Sequence, residues 1–403
     1  MLKSSTKKIY QYLNYLYYTK KEKFISNLKL LKIGIKEETF FGYYDKSPIN
    51  STNSFIIFQS TEYPTNKLPS KNSSIKLILY DLKKNNYKKK EEIFAYNWQQ
   101  GAKLQWLDGN RFIFNNYLFK EKKYISKIYN SVSGEFEQVI DYPIYDCYKD
   151  YALTLNFERL NLLRPDYGYR NITSDEKELL QNDNDGIFYI DLLKNISKLL
   201  ISINDIINLH YKKSMKNAKH WFNHIMISPD GNKFMFLHRW LVGNRKYDAL
   251  IISNKDGTGI KCLADDDMVS HCCWYGNDKI ISFLRDKNLG NKYYLIDIVS
   301  GSKEILGPGI IDGFGDGHPS VFGNKMLFDT YPNKARMKEL FVYDLNTGEL
   351  EKLGEFFESF DFYGETRCDL HPKWSLDGKK IFFDSVHEGT TYLYMMDIKD
   401  NNG

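Results

Sequence analysis

Cysteine and long apolar runs are scarce in this chain, and each shortage excludes a class of protein. The five cysteines are few and odd in number, unlike the paired framework of a small secreted domain. No stretch reaches the roughly 18 consecutive apolar residues that a membrane-spanning helix needs. The N-terminal segment also lacks the continuous apolar core of a secretory signal. The sequence therefore predicts a reduced, cytoplasmic protein.

Positive charge is abundant only at the N-terminus. The chain has a formal net charge of +5, yet residues 1–36 alone hold nine lysines and one glutamate. Residues 37–403 are therefore slightly acidic, and no nucleic-acid-binding motif occurs in them. We expect no nucleic-acid partner, and we divide the chain into a basic helical segment, 1–36, and a single large domain, 37–403.

A short apolar strand pattern that ends in Asp or Asn recurs seven times. Aromatic residues make up 16% of the chain, and its 31 Tyr and 26 Phe suit half-buried strands. A unit that recurs about every 40–50 residues is typical of the four-stranded blades of a propeller. The sequence therefore predicts an all-β fold, a single seven-bladed β-propeller with an N-terminal helix. The seven copies end at Asp81, Asn130, Asp191, Asn254, Asp297, Asp344 and Asp397.

Turn signals support the same architecture. Asp-Gly pairs at Asp108, Asp230 and Asp377 stand between two apolar runs, as in a tight β-hairpin. One segment departs from the pattern, because residues 171–220 are polar and contain a predicted short helix at Ile203–Leu209. We interpret 171–220 as a helical insertion on one rim of the propeller.

Residues 5–31 are predicted to form the N-terminal helix, with Ile9, Leu13, Leu16, Phe24, Leu28 and Leu31 on its apolar face. Two interpretations stay open. The helix either caps the propeller or, being basic and rich in tyrosine, makes a peripheral contact with anionic lipid on the inner membrane face.

No histidine precedes His210, and four of the eight histidines recur with the blade period. Each of the four leads into the first strand of its repeat, which lines the central channel of a propeller. Several imidazoles around one axis suit a divalent metal such as Mn or Zn. The alternative is that each histidine only satisfies a backbone group beneath the rim. The four candidate metal ligands are His224, His271, His318 and His371.

Further polar residues stand beside these positions. Cys272 and Cys368 would add thiolate ligands and favour zinc, while Asp316 and Asp369 would orient the imidazole rings.

Arginine also occurs beside aromatic residues at several points. A guanidinium fork matches a carboxylate, and an aromatic face matches a sugar ring, so such pairs suit an anionic glycan. The alternative is that the arginines form ion pairs between blades and the tyrosines belong to the core. The residues in question are Arg159, Arg164, Tyr167 and Tyr169 in one loop, His238 and Arg239 in a strand, and Arg367.

Four phrases of the sequence resemble a known family. They are Asn97-Trp98-Gln99-Gln100-Gly101, Arg164-Pro165-Asp166-Tyr167-Gly168-Tyr169, Asp316-Gly317-His318-Pro319-Ser320 and Arg367-Cys368-Asp369-Leu370-His371-Pro372. In this order they resemble the seven-bladed polysaccharide lyases of the oligogalacturonate-lyase and ulvan-lyase type, related in fold to TolB-like propellers. The resemblance covers roughly residues 40–400.

The resemblance implies β-elimination at a uronic acid. A divalent metal on the four histidines or an arginine would neutralise the sugar carboxylate, and a His or Tyr base would remove the adjacent proton. The expected partner is an acidic polysaccharide or oligosaccharide. For the catalytic residues the resemblance suggests Tyr167 or Tyr169 with Arg164, and the arginine pattern adds His238 and Arg239 as candidates. The candidate substrate-binding residues are Gln100, Arg159, Trp98 and Arg367.

Two other functions stay open, because the histidine that ulvan lyases supply near the Gln-Gln-Gly motif is missing here. The protein could be a glycosyltransferase-like or glycan-binding component of surface polysaccharide (capsule) biosynthesis, without lyase activity. It could also be a non-catalytic scaffold that binds another protein on its rim.

Overall fold

Seven antiparallel sheets follow one another along the chain and form the blades of a propeller. The computed structural model describes residues 2–34 and 36–398. Within each blade, consecutive strands are hydrogen-bonded neighbours, as a meander requires. The predicted all-β, seven-bladed propeller with an N-terminal helix is confirmed.

The strands of blades 1 to 4 are Glu38–Phe40, Phe55–Thr61, Ile75–Asp81, Asn86–Ile93; Gln105–Trp106, Arg111–Leu118, Lys123–Asn130, Phe136–Ile140; Asp146–Tyr148, Tyr151–Thr154, Gly186–Asp191, Ile196–Ser202; and Lys219–Ile227, Lys233–Val242, Arg245–Asn254, Lys261–Ala264. Those of blades 5 to 7 are Val269–Tyr275, Lys279–Asp286, Gly290–Asp297, Lys303–Ile305; Ser320–Phe322, Lys325–Asp329, Met337–Asp344, Leu350–Phe357; and Lys373–Trp374, Lys380–Ser385, Tyr392–Asp397. The helices are Leu2–Tyr18, Phe157–Leu163, Glu176–Leu179 and Ile203–Leu209, with short 3-10 turns at Lys213–Met215 and Gly364–Thr366.

The repeated Asp or Asn marks the end of the third strand in all seven blades. In five of these blades its side chain closes the turn that follows. In blade 1, Asp81 Oδ1 accepts hydrogen bonds from the backbone N–H groups of Lys83 and Lys84, both at 3.1 Å. The equivalent bonds form at Asn130, Asp191, Asp297 and Asp344. Asp and Asn favour such turns because their short side chains reach the backbone two residues on.

The N-terminal helix ends at Tyr18, so the predicted helix over residues 5–31 is wrong beyond that point. Phe24–Ser26 is instead a fifth strand on the outer edge of blade 6. Leu30–Ile33 pairs with Tyr392–Asp397 and supplies the outer strand of blade 7, which closes the ring. These two blade edges would otherwise leave backbone groups unpaired, and that need overrides local helix propensity.

The helix itself rests on blade 6. Tyr12 and Tyr15 lie 5.9 and 5.6 Å from Phe360, measured between ring centroids. Just after the helix, Lys20 forms an ion pair with Glu355. No helix in the described part of the chain combines the length and apolar character needed to cross a bilayer. This packing supports the capping interpretation of the helix.

The segment 171–220, predicted as one insertion, is divided by two strands of blade 3. One excursion, residues 155–185, joins the second and third strands of that blade. The other, residues 203–218, leads into blade 4 and contains the predicted helix Ile203–Leu209. In an antiparallel meander both kinds of connection emerge at the same end, the end at which the innermost strands begin.

Candidate functional site: a histidine and tyrosine cluster at the propeller axis

Four histidines from blades 4 to 7 meet in one buried cluster. The ring centroids of His271 and His318 are 4.1 Å apart, and those of His318 and His371 are 4.3 Å apart. His224 lies 5.8 Å from His271. The blade register read from the sequence therefore brings these side chains together.

An unusual backbone places two of these histidines. His224 and His371 have φ angles of 53° and 46°, in the left-handed region that few residues other than glycine adopt. His224 lies within a bulge of its strand, and bulges re-aim side chains. Lys103, at the head of the innermost strand of blade 2, has the same conformation with φ 52°. Such strain costs on the order of 1–3 kcal/mol and tends to cluster at functional sites.

Carboxylates orient two of the rings. Asp329 accepts hydrogen bonds from His318 Nδ1 at 2.9 Å and from the backbone N–H of the same residue at 2.7 Å. Asp316 lies 3.1 Å from His271 Nδ1 and also accepts a bond from Ser270. A carboxylate at Nδ1 keeps the proton there and leaves a lone pair on Nε2. Asp316 was expected from the sequence, whereas Asp329 was missed.

One part of the cluster has the donor atoms of a metal site. Ligand atoms of His318, His371 and Asp369 all lie within 4.8 Å of one another. The Nε2 atoms of His318 and His371 are buried without a hydrogen-bond partner. Two unpartnered imidazole nitrogens beside a carboxylate fit a divalent cation such as Mn or Zn. His224 and His271 belong to the same cluster of rings but not to this closer group.

The two cysteines that were expected to supply thiolate do not join this group. Cys272 Sγ lies 3.1 Å from Ser282 Oγ, and burial raises the pKa of the Cys272 thiol to about 12. Burial likewise raises the pKa of Cys368 well above its usual value. Neither sulfur atom belongs to the close group of ligand atoms formed by His318, His371 and Asp369, so this group holds nitrogen and oxygen donors alone.

Burial and neighbouring charges set the protonation of the cluster. Burial lowers the pKa of His224 and of His371 well below the ordinary value, so both rings are neutral. Burial would also lower the pKa of His318, but the adjacent Asp329 outweighs it and raises that pKa. Burial would raise the pKa of Asp369, yet Arg367 and Lys338 hold it far below its usual range.

Tyr43 and Tyr44 complete the cluster from blade 1, and the sequence reasoning missed both. The Tyr43 hydroxyl forms a short hydrogen bond with His224 Nδ1. Its ring also lies 5.0 Å from that of His371. The Tyr44 hydroxyl donates to the backbone carbonyl of Cys272 at 2.9 Å. The only sequence signal was their place near the start of blade 1, just after the strand Glu38–Phe40, in the part of the repeat where later blades carry histidine.

Three of the residues predicted from the arginine-rich phrases lie at the edge of the cluster. The Tyr167 ring is 5.6 Å from His224, and its hydroxyl accepts a hydrogen bond from Arg367 at 3.2 Å. The guanidinium groups of Arg164 and Arg367 lie 5.2 and 6.0 Å from the same ring. Both arginines pair with Asp166, at 2.9 and 3.0 Å.

Two other predicted residues are occupied elsewhere. Tyr169 stacks on Phe157 at 4.3 Å, and its hydroxyl accepts from Asn115. Arg159 pairs with Asp185 at 2.6 Å and donates to the backbone carbonyls of Gln181 and His220. The structure thus places Tyr169 in the core, as the alternative interpretation had it, and Arg159 in a buried ion pair within the blade 3 excursion rather than between blades.

Trp98 and Gln100 make their side-chain hydrogen bonds to groups other than the histidines. Trp98 packs against Phe40 and donates from Nε1 to the backbone carbonyl of Lys67. Gln100 donates to the Tyr145 hydroxyl at 3.0 Å, and that hydroxyl accepts from the backbone N–H of His224 at 2.9 Å. Gln100 is therefore linked to the cluster through one intermediary.

His238 and Arg239 point to opposite faces of their strand. His238 hydrogen-bonds to His210 and to His220, both at 2.9 Å, away from the central cluster. Arg239 is buried and pairs with Asp248 at 3.0 Å. The neighbouring Lys246 was not predicted from the sequence. The positive charge of Arg239, and to a smaller extent burial, lower the pKa of Lys246 to about 8.

A cavity of about 700 Å³ lies between the N-terminal helix and the connections of blades 6 and 7. Ile9 and Leu13 line the helix side, and Tyr331, Arg367 and Asp369 line the other side. Because Arg367 and Asp369 also touch the cluster, the cavity leads towards the candidate metal group. Its size is in the range of small-molecule sites.

These features define a seven-bladed β-propeller with a histidine-lined site at its axis. The chain is similar in structure to the oligogalacturonate lyase of Vibrio parahaemolyticus, with a TM-score of 0.62 and 14% sequence identity. The alignment covers 94% of this chain and 98% of that lyase. An oligogalacturonate lyase in complex with manganese covers the same shares, with a TM-score of 0.62 and 15% identity. The resemblance expected from the sequence is therefore confirmed for the fold.

The β-propeller domain of the Trilobed protease from Pyrococcus furiosus is a more distant neighbour. It covers 92% of this chain and 98% of its own, with a TM-score of 0.51 and 11% identity. At such low identities these likenesses concern the fold alone. No protein-family profile and no curated protein sequence matches this chain.

Proposed function

We propose that the protein binds a uronate-containing oligosaccharide at the axial site and cleaves it by β-elimination with a bound divalent cation. The observation that carries the proposal is the pair of buried, unpartnered Nε2 atoms on His318 and His371 beside Asp369. A cation held by these three residues would neutralise the uronate carboxylate and so acidify the adjacent C–H bond. The two oligogalacturonate lyases of similar fold, one of them a manganese complex, support this choice of substrate and of metal.

The charges around the cluster suit an acidic sugar. Arg164 and Arg367 present two guanidinium groups on the Tyr167 ring, and Lys246 adds an amine that is partly exposed. Planar guanidinium groups match a carboxylate in two-point contact.

Tyr43 and Tyr167 would carry out the two proton transfers of the elimination, removal of the proton next to the carboxylate and protonation of the leaving oxygen. The Tyr43 hydroxyl is hydrogen-bonded to the neutral His224, which can accept its proton and so make the phenol oxygen basic. Tyr43 and His224 together would remove the proton next to the carboxylate. The Tyr167 hydroxyl accepts its hydrogen bond from Arg367, so its own proton is free to pass to the leaving glycosidic oxygen.

The test is turnover of short uronate oligomers with added manganese, followed by the ultraviolet absorbance of the unsaturated product. Loss of a general base typically costs about 10²–10⁴ in rate, so Tyr43→Phe should fall by that factor. Tyr129→Phe is the control for removing a buried tyrosine hydroxyl outside the cluster, because Tyr129 lies on the third strand of blade 2 and its hydroxyl, unlike that of Tyr43, has no hydrogen-bond partner. His371→Ala should lose both product and manganese binding.

Other outcomes separate the alternatives. Binding of the oligomers without any product would favour the glycan-binding role in surface polysaccharide biosynthesis. Failure to bind both manganese and oligomers would overturn the proposal and leave the scaffold role. The cytoplasmic location and the lipid contact of residues 1–36 stay predictions from the sequence.

A further inference from the structure

A second group of metal-ligand types lies at the outer edge of blade 4. His210 directly follows the helix Ile203–Leu209 in the connection that leads into the blade. Cys262 lies on the outermost strand, Lys261–Ala264, and Asp265 directly follows that strand. Ligand atoms of these three residues lie within 4.8 Å of one another, and all three side chains are partly accessible. Two separate parts of the chain therefore meet at one small donor set.

A chain of three histidines fixes which nitrogen of His210 carries a proton. His220 Nε2 lies 3.2 Å from the backbone carbonyl of Met215, which can only accept, so this nitrogen is the donor. The neutral His220 ring then accepts on Nδ1, and His238 must donate to it from Nε2 at 2.9 Å. His238 in turn accepts on Nδ1 from His210 Nε2, also at 2.9 Å.

The last ring of this chain ends in a free lone pair. Because Nε2 of the neutral His210 ring carries the proton, its Nδ1 has none. That Nδ1 atom is buried and has no hydrogen-bond partner. It belongs to the donor set with Cys262 and Asp265. A hydrogen-bonded ring with one unprotonated nitrogen is the usual form of a metal-binding histidine.

We propose that His210 Nδ1, Cys262 Sγ and a carboxylate oxygen of Asp265 bind a zinc ion that joins the blade 3–4 connection to the outer edge of blade 4. One nitrogen, one sulfur and one oxygen donor match the mixed preference of zinc, with water as the fourth ligand. Zinc–ligand bonds of about 2.0–2.3 Å set tetrahedral ligand atoms about 3.3–3.8 Å apart, so modest side-chain rotations close the site.

Lys212 and Lys303 add positive charge near this group, and Lys212 pairs with Asp265 directly, yet Asp265 can bind a cation and Lys212 at the same time. The ammonium group of Lys212 lies 3.0 Å from Asp265 Oδ2 and also contacts the backbone carbonyl of Asp265. A carboxylate has two oxygens, so one can bind zinc while the other accepts from Lys212. With a thiolate, a carboxylate and Zn²⁺ the inner charges sum to zero, which removes the main repulsion on the lysine.

The experiment uses the full chain, stripped of metal and titrated with Co²⁺ as a spectroscopic substitute for zinc. Thiolate coordination produces a sulfur-to-cobalt charge-transfer absorption that nitrogen and oxygen ligands do not. We expect this band to saturate at one equivalent in His371→Ala and at no more than two in the wild-type chain, whose axial group can also take cobalt, to disappear when zinc is added, and to be lost in Cys262→Ser. The axial group of His318, His371 and Asp369 contains no sulfur, so His371→Ala should leave the band unchanged.

Cys147→Ser is the matched control, since Cys147 is also a half-buried free cysteine on a strand. The band should survive in this variant. No thiolate band in the wild-type chain, or a band that persists in Cys262→Ser, would overturn the proposal. These results do not depend on lyase activity, so the axial function can fail while this site stands.

His238 acts here as a positioning residue, because it fixes the proton on His210. Replacing such an outer partner typically weakens metal binding about 10–100-fold, and His238→Phe should do so. His238→Gln, whose amide oxygen can still accept from His210, should recover part of the affinity. A merely structural role for His238 would instead lower thermal stability while leaving zinc affinity, measured below the unfolding transition, the same in all three chains.

Discussion

Replacing Asp329 tests the axial site most directly, because this one carboxylate holds two of its histidines. It accepts from the His318 ring and backbone at 2.9 and 2.7 Å, and from the backbone N–H of His371 at 3.3 Å. It also keeps the proton of His318 on Nδ1, so that Nε2 faces the candidate metal group. Asp329→Asn retains an acceptor oxygen but removes the charge, whereas Asp329→Leu removes both.

The expected magnitudes follow from that difference. Loss of an outer partner of a metal-binding histidine typically weakens metal affinity about 10–100-fold. We expect Asp329→Asn near the lower end and Asp329→Leu near the upper end, equivalent to about 1.4 and about 2.7 kcal/mol of binding free energy. In the asparagine variant the ring stays oriented, but the attraction between carboxylate and bound cation is lost.

The assay is calorimetric titration of the metal-free protein with manganese, with thermal unfolding as a check on folding. Asp384→Asn is the matched control, since Asp384 is a buried carboxylate that accepts backbone bonds from Phe41 and Gly42, both at 3.0 Å. It should lose stability without a comparable loss of manganese affinity. Wild-type affinity in a folded Asp329→Leu protein would refute the reasoning.

Two further predictions concern stability, and both are read from urea unfolding. Arg159→Met should lower the free energy of unfolding by about 3–5 kcal/mol, because it leaves Asp185 buried without its partner. The control Arg245→Met should lower it by at most about 1 kcal/mol, because the pair of Arg245 with Asp267 is exposed. Equal losses in the two variants would mean that the Arg159 pair is not structural. Burial lowers the folded-state pKa of His220 and His387 to about 4. The stability that these neutral histidines contribute is therefore fully present above the ordinary pKa of about 6.5 and is lost as the pH falls towards 4. The free energy of unfolding should fall by about 1.4 kcal/mol per pH unit for each histidine in this window. His387→Phe should flatten this slope, and an unchanged slope would contradict the assignment.

The seven-fold repeat of the blades could be predicted because it depends on interactions between residues close in sequence. Five of the seven copies of the strand pattern end in a side chain that closes its own turn within three residues, as Asp81 and Asp297 do. Such bonds depend on neighbours in sequence and not on distant packing. The register of His224, His271, His318 and His371 follows from the same period, because equivalent positions of successive blades meet at the axis.

The partners of those histidines could not be predicted in the same way. Tyr43 reaches His224 from blade 1, and no local pattern marks that contact. The last part of the helix predicted over residues 5–31 was wrong for the same reason. Residues 24–26 and 30–33 are strands, and the strands with which they pair lie near the other end of the chain. Likewise, Arg159 and Tyr169 belong to the same stretch of sequence as Arg164 and Tyr167. Only the structure shows that Arg159 pairs with Asp185 and that Tyr169 stacks on Phe157, away from the cluster.

The sequence by itself determined the seven blades, the place of the third strand in each, and the histidine register, because turns and apolar alternation are local. Tertiary structure alone decided which side chains are desolvated and paired. It assigned Asp329 to His318, Tyr43 to His224, and His238 to the histidine chain that ends at His210. The physical reason is that desolvation, the pKa values and the metal-binding geometry at both sites depend on groups that only folding brings within a few ångströms of one another.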